Sequence, residues 1–196
     1  MKKNKFRYGF KKECEDYAGE FREELHLAPH DPLCPRKLAH HLGIPVFGIK
    51  DSQVIDPEVI QHWQQCAGGG FSGLIIQDGT RKEVHHNDFH HPRRQNSNIS
   101  HELAHIILGH DLDVPIKENG ERAYDRLIEE EAKWLGATLL LPKSATVHIV
   151  KNGLLKEEIE EVYGVSYSLY QFRLQVTDTM GLIRNSRRKY SQTAPS

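Results

Sequence analysis

The segment His101-Glu102-Leu103-Ala104-His105 sets two imidazoles four residues apart with a carboxylate beside the first. A helix turns about 100° per residue, so His105 lies about 40° round from His101 and Glu102 about 60° beyond His105. Two neutral imidazoles on one helical face can grip a divalent ion, and a carboxylate beside that ion can act as a general base, which is the chemistry of metal-assisted hydrolysis. With 13 His and 27 Asp+Glu in 196 residues, random order yields at most roughly 0.1 such patterns. The setting lowers that chance, because Ile99, Leu103, Ile106, Ile107 and Leu108 line the rest of the segment and would bury it. Solvated, incidental histidines rarely sit in such company.

A catalytic zinc commonly takes three protein ligands and leaves one position open, so a third ligand must come from elsewhere. His110 is near, but Gly109 and His110 follow His101 by eight and nine positions, where the extended zinc motif needs seven and ten. A carboxylate from a second helix, expected over about 122–141, is the better prospect. With Glu129 at zero, Ala132 and Gly136 fall at about 300° and 340°, a strip of small residues continuous with Glu129 that lets another helix approach. That favours Glu129; Glu131, on the far side beside Leu135, is the alternative, and Glu130 reads as solvated. Arg94 and Asn98, seven and three positions before His101, share its face and either touch substrate, orient a ligand or cap the first turns. His85, His86, His90 and His91 lie in a polar strand end and loop and are read as solvated. Tyr124, Arg94 and His110 are available to stabilise an oxyanion, and the sequence does not choose among them.

These residues need elements to position them. Phe10, Cys14, Tyr17, Ala18, Phe21 and Leu25 recur at helical steps, and Pro35 opens a short helix that Gly43 closes. Ile44 to Ile49 reads as a strand and Pro57 to Gln65 as a helix. Gly68-Gly69-Gly70 lacks the Lys and Ser/Thr of a phosphate loop and reads as a flexible connection. Phe71 to Gln77 and Thr80 to His86, joined at Asp78-Gly79, have the pattern of a β-hairpin. The metal helix should run from about Pro92 to Gly109, and further helices near Lys143 to Val150, Leu154 to Tyr163 and up to about Asp178 follow Pro142. The fold class is α+β, mostly helical with a small hairpin sheet. The expected organisation is a core over 1–142, a packed helical region over 143–185 and a disordered tail over 186–196.

Composition narrows the class of partner. A net charge of -1 gives no general attraction to nucleic acid or anionic membrane. Cys14, Cys34 and Cys66 are odd in number and far apart, which suggests a reducing cytoplasm and buried, structural thiols. The basic amino terminus is followed by no apolar run of signal-peptide or membrane length, so export and membrane insertion are not expected.

Taken together, Asn87 through Arg94, His101 to His105 with Leu108-Gly109-His110, and Glu129-x-x-Ala132 with Leu139-Leu140-Leu141-Pro142 resemble the ImmA/IrrE family of zinc-dependent metallopeptidases. The resemblance runs from the first helix through Gly164-Val165-Ser166. It implies a minimal zincin-like fold, His101, His105 and Glu129 as ligands of one Zn2+, with Mn2+ an alternative occupant, and Glu102 as general base toward a metal-activated water. It also implies a cytoplasmic endopeptidase acting on a helix-turn-helix repressor. Two departures stand out: many members have Asn at the position of Lys133, and Phe-Ala at Leu135-Gly136. A Lys cannot accept a hydrogen bond from a ligand histidine as an amide oxygen can.

Rival readings exist. Val162 to Arg173 superficially resembles a helix-turn-helix, which would make a DNA-binding regulator, but Glu160 stands where that motif needs a small buried residue and only Arg173 is basic in the following helix. A zinc-stabilised interaction protein, such as half of a toxin and antitoxin pair, would not need Glu102 and would close its site with a fourth ligand. No direct contact with nucleic acid is expected.

Overall fold

The computed structural model describes residues 6–50, 52, 56–65, 72–111 and 126–184. The expectations for Gly68-Gly69-Gly70, Cys66, Tyr124 and the tail 186–196 fall outside these residues.

Eight helices and three strands follow one another among the described residues: α1 (Phe10–Glu24), α2 (Pro35–His41), β1 (Val46–Gly48), α3 (Pro57–Gln65), β2 (Gly73–Asp78), β3 (Arg81–His86), α4 (Pro92–Ile107), α5 (Arg126–Leu140), α6 (Lys143–Asn152), α7 (Lys156–Val162) and α8 (Tyr167–Val176). This is the mostly helical α+β architecture that the patterning implies. Proline opens α2 and α4 at the first turn, where the missing N–H costs nothing. The His91 ring Nδ1 caps α4 by accepting from the Arg93 N–H at 3.3 Å.

The hairpin is part of a larger sheet. Its strands pair from Gly73 with His86 to Asp78 with Arg81, so the two-residue turn is Gly79-Thr80, one residue later than Asp78-Gly79. Gly79 takes the left-handed φ of +57° that this turn requires. β1 adds in parallel on the other side, Val46 opposite Val84, giving among the described residues the order β1-β3-β2 with β3 central and β2 an edge.

That central place corrects the reading of the histidines. His85, His86 and His90 are buried, not solvated, and only His91 is exposed. For His85 and His86 the physical reason is the β1 pairing, which sequence periodicity does not reveal: it turns a polar strand end into the middle of a sheet. His90, beyond the strand, lies against Asn98 of α4. Cys34 is likewise exposed, against the expectation of buried thiols. Cys14 is buried, and desolvation pushes its thiol up to about 12.

One apolar cluster joins Phe10, Cys14, Ala18 and Phe21 of α1 to Ile75 and Val84 of the sheet, Ile99 and Leu103 of α4, and Ala132, Leu135 and Leu139 of α5. A second gathers Leu140, Leu141, Ile149, Ile159, Val165 and Tyr170. α5 hands over from one to the other at its carboxyl end. Two buried arginines satisfy that end: Arg22 donates to Leu139 O at 2.9 Å, and Arg173 donates to Leu141 O at 2.7 Å while pairing with Glu15. Cations there also complement the helix dipole, so α5 is fixed in position along α1 and α4.

Candidate metal centre

α4 and α5 meet through small residues. A Cβ on Gly136 would stand 3.0 Å from Ser100 O and 3.2 Å from His101 Cα, so only glycine permits this crossing. The close approach sets Glu129, two turns earlier on α5, across from the two histidines of α4.

His101 Nε2 lies 3.2 Å from His105 Nε2. Glu129 spans both rings, with Oε2 3.3 Å from His101 Nε2 and Oε1 3.4 Å from His105 Nε2. A tetrahedral ion with ligands at about 2.0–2.1 Å has its ligand atoms about 3.3–3.4 Å apart. The separations are of that size, the two imidazoles each meeting a different oxygen of the one carboxylate. The donor set fits a cation for a second reason: two imidazole lone pairs and a carboxylate directed at one point repel each other unless positive charge lies among them. Contact with the His101 and His105 rings holds the Glu129 carboxyl well below the usual carboxylate range, against burial, which pushes the other way. Among the described residues this is the group of His, Cys, Asp or Glu side chains whose atoms converge enough to hold an ion.

Glu102 sits at the rim. A Cβ on Gly73, the first residue of the edge strand β2, would stand 3.0 Å from Glu102 Oε1, so the carboxylate lies against that strand. His101 and Glu102 also line a cleft of about 340 Å³ with Ser72, Asn98, Lys133, Ala137, Leu140 and Leu169. Asn98 donates to Ser72 O at 3.0 Å and lies 3.2 Å from His90 Nδ1, while Arg94 reaches the Ser72 hydroxyl at 3.5 Å. Both therefore tie the start of β2 to α4.

Glu131 is elsewhere, 3.4 Å from His110 Nε2. His110 stands behind His105, its Nδ1 3.0 Å from His105 Nδ1, on the ring edge away from Glu129. That buried place removes it from the residues able to meet an oxyanion. Lys133 is exposed at the mouth of the cleft.

The sequence profile described as the IrrE N-terminal-like domain, a peptidase family, matches residues 66–175, more than half of the chain. The chain belongs to this peptidase family. No curated protein matches it. Membership gives a function of metallopeptidase type, and within the matched span lie all three converging side chains and Glu102. Among the described residues no helix is long and apolar enough to cross a membrane. The roles of His105's surroundings, His110 and Glu131, were missed from sequence; the turn at Gly109, which folds His110 back onto the helix, was the available signal.

Proposed function

We propose that the protein is a cytoplasmic zinc endopeptidase that cuts one or few bonds in a helix-turn-helix repressor, with His101, His105 and Glu129 holding the ion and Glu102 as general base. The observation that carries the metal site is the convergence of two imidazole Nε2 atoms 3.2 Å apart on one carboxylate, whose two oxygens lie 3.3 and 3.4 Å from them. When bound, a divalent ion supplies Lewis acidity toward a peptide carbonyl and toward water; Mn2+ is an alternative with the same donors.

The residues do the rest. Glu102 takes a proton from the attacking water as its oxygen adds to the carbonyl carbon, and delivers that proton to the amine nitrogen as the C–N bond breaks. Among the described residues no strand covers the outer edge of β2, which begins beside Glu102, so an extended segment that pairs with it passes the carboxylate. Ala137, Leu140 and Leu169 give the cleft an apolar wall suited to an uncharged side chain next to the cut bond. An enzyme of this kind must be selective in a cytoplasm full of protein, and the resemblance supplies the repressor as target and the compartment with it. A DNA-binding reading is disfavoured because Arg173, the basic residue of α8, is fully buried and turned toward Leu141 O and Glu15.

Co-expression with a helix-turn-helix repressor encoded nearby should give discrete fragments. Glu102→Gln should keep the metal and lose at least about 100-fold in cleavage, since the amide holds the shape but takes no proton. Fragments that persist with Glu102→Gln, or unrestricted digestion of unfolded casein, would contradict this reading.

A further inference from the structure

We propose that His110 and Glu131 are positioning residues that fix the tautomer of His105, so that its Nε2 lone pair, and not an N–H, faces Glu129 and His101. This rests on the metal site proposed above and adds to it the part of the molecule that holds His105 ready.

The argument starts at the end of α4. Gly109 adopts φ +65°, and the chain turns so that the His110 N–H donates to His105 O at 3.0 Å. This is the six-residue closure of a helix terminus. It lays the His110 ring against the His105 ring, planes 71° apart and centroids 5.0 Å apart. Both side chains are nearly sealed from solvent, 7% and 6% exposed.

The two Nδ1 atoms are 3.0 Å apart, a distance that one proton bridges. Two arrangements are available. In the first, His105 Nδ1–H donates to His110 Nδ1; His105 Nε2 then carries a lone pair toward Glu129, and His110 carries its proton on Nε2, facing Glu131 Oε2 at 3.4 Å. In the second, His110 donates, His105 Nε2 is protonated, and the buried His110 Nε2 lone pair, which has no hydrogen-bond partner, stands 3.4 Å from the Glu131 carboxylate. Two acceptors facing each other in a buried place are strongly disfavoured. At the other end the His105 Nε2 lone pair faces Glu129 Oε1 at 3.4 Å, an opposition that a cation in the site removes, so with the site loaded Glu131 selects the first arrangement from two rings away. A carboxylate behind a ligand histidine is a familiar way to orient the ring and raise its basicity; here a second histidine transmits it.

The test compares wild type, His110→Phe, His110→Asn, Glu131→Ala and His105→Ala. Zn2+ affinity is read by chelator competition, and the visible spectrum is read after Co2+ replaces Zn2+. His110→Phe keeps a ring but no acceptor and should weaken Zn2+ binding about 10- to 100-fold, with Glu131→Ala weakening it about tenfold. His110→Asn can place its amide oxygen where Nδ1 stood and should stay within about threefold of wild type. The Co2+ bands should move in His110→Phe and Glu131→Ala and hold in His110→Asn. Wild-type affinity and bands in both His110→Phe and Glu131→Ala, with metal lost in His105→Ala, would overturn the inference and leave the metal site standing. Metal retained in His105→Ala would instead overturn the site itself. Should His110→Phe fail to fold, the half-buried Glu131→Ala decides alone.

Discussion

Two groups of histidines lie within twenty-five residues of each other and differ in the direction of their lone pairs. At the end of β3 each ring has its own partner: His85 Nε2 meets Glu83 at 2.8 Å, His86 Nε2 meets Arg36 at 2.6 Å, and His90 Nδ1 meets Asn98 at 3.2 Å. On α4, His101 and His105 turn their Nε2 atoms to one point and share a single carboxylate. Burial does not sort them, since His105 is as sealed as His85 while its partner His101 is only half-buried. What separates them is periodicity, since neighbours on a strand face opposite ways while helical residues four apart share a face. Dispersed imidazoles become structure, and converging ones become a site.

The largest effect should come from exchanging the two groups in a metal-binding assay. Wild type should bind about one divalent ion per chain, and His101→Ala should weaken it by more than about 100-fold, beyond the usual loss from an outer partner. His86→Gln, although it alters a more deeply buried ring, should bind as wild type. Metal analysis after dialysis decides it, and equal occupancy in the two variants would erase the distinction drawn here.

A second test runs the comparison in acid. Burial first, and then the neighbouring Arg36 guanidinium, lower the His86 pKa to about 4. An unfolded histidine protonates near about 6.5, so between these values the unfolded chain binds the extra proton. Stability from His86 is therefore fully present above about pH 6.5 and drains as pH falls toward 4, by about 3 kcal/mol at most. His90 is lowered in the same direction by burial and Arg94. Urea melts at pH 7, 5 and 4, with chelator present to silence the metal site, should show a flatter pH profile for His86→Gln. Parallel profiles for the two proteins would show that His86 does not carry the acid sensitivity.

How far sequence alone reached follows the same division. Helical periodicity made α4 and α5 legible, because one face of a helix can be read from spacing within a single segment. The strip Ala132-Gly136 pointed to close helix packing, and Gly136 does lie against the Ser100 and His101 backbone. The buried histidines of β3 were not legible, because their burial depends on pairing with Val46 to Gly48, some forty residues away. The His110 fold-back was signalled only by Gly109, which says nothing of where the ring then lies. A spacing test asks whether a histidine can be a ligand, and does not ask what stands behind one.

The smallest expected change in stability is Gly136→Ala, which tests whether the crossing of α4 and α5 is what makes the converging group converge. Replacing a glycine inside a helix by alanine ordinarily gains about 1 kcal/mol. Here the new Cβ would meet Ser100 O at 3.0 Å, Ser100 C at 3.1 Å and His101 Cα at 3.2 Å. All three are backbone atoms and cannot swing aside, so the helices must part by a few tenths of an ångström, and overpacking of this kind costs about 1–3 kcal/mol. The gain and the cost partly cancel, and the melting temperature should fall by only a few degrees. The site has no such compensation, because the displaced atoms belong to His101 and its neighbour while Glu129 stays with α5. Zn2+ affinity should drop about tenfold, as small misplacements at a metal or reacting centre are costly, and Gly136→Val should lose more. Measured together, a small thermal shift with a large affinity loss supports the crossing as the positioning element; an unchanged affinity would mean that the loops, and not the helix contact, hold Glu129 in place.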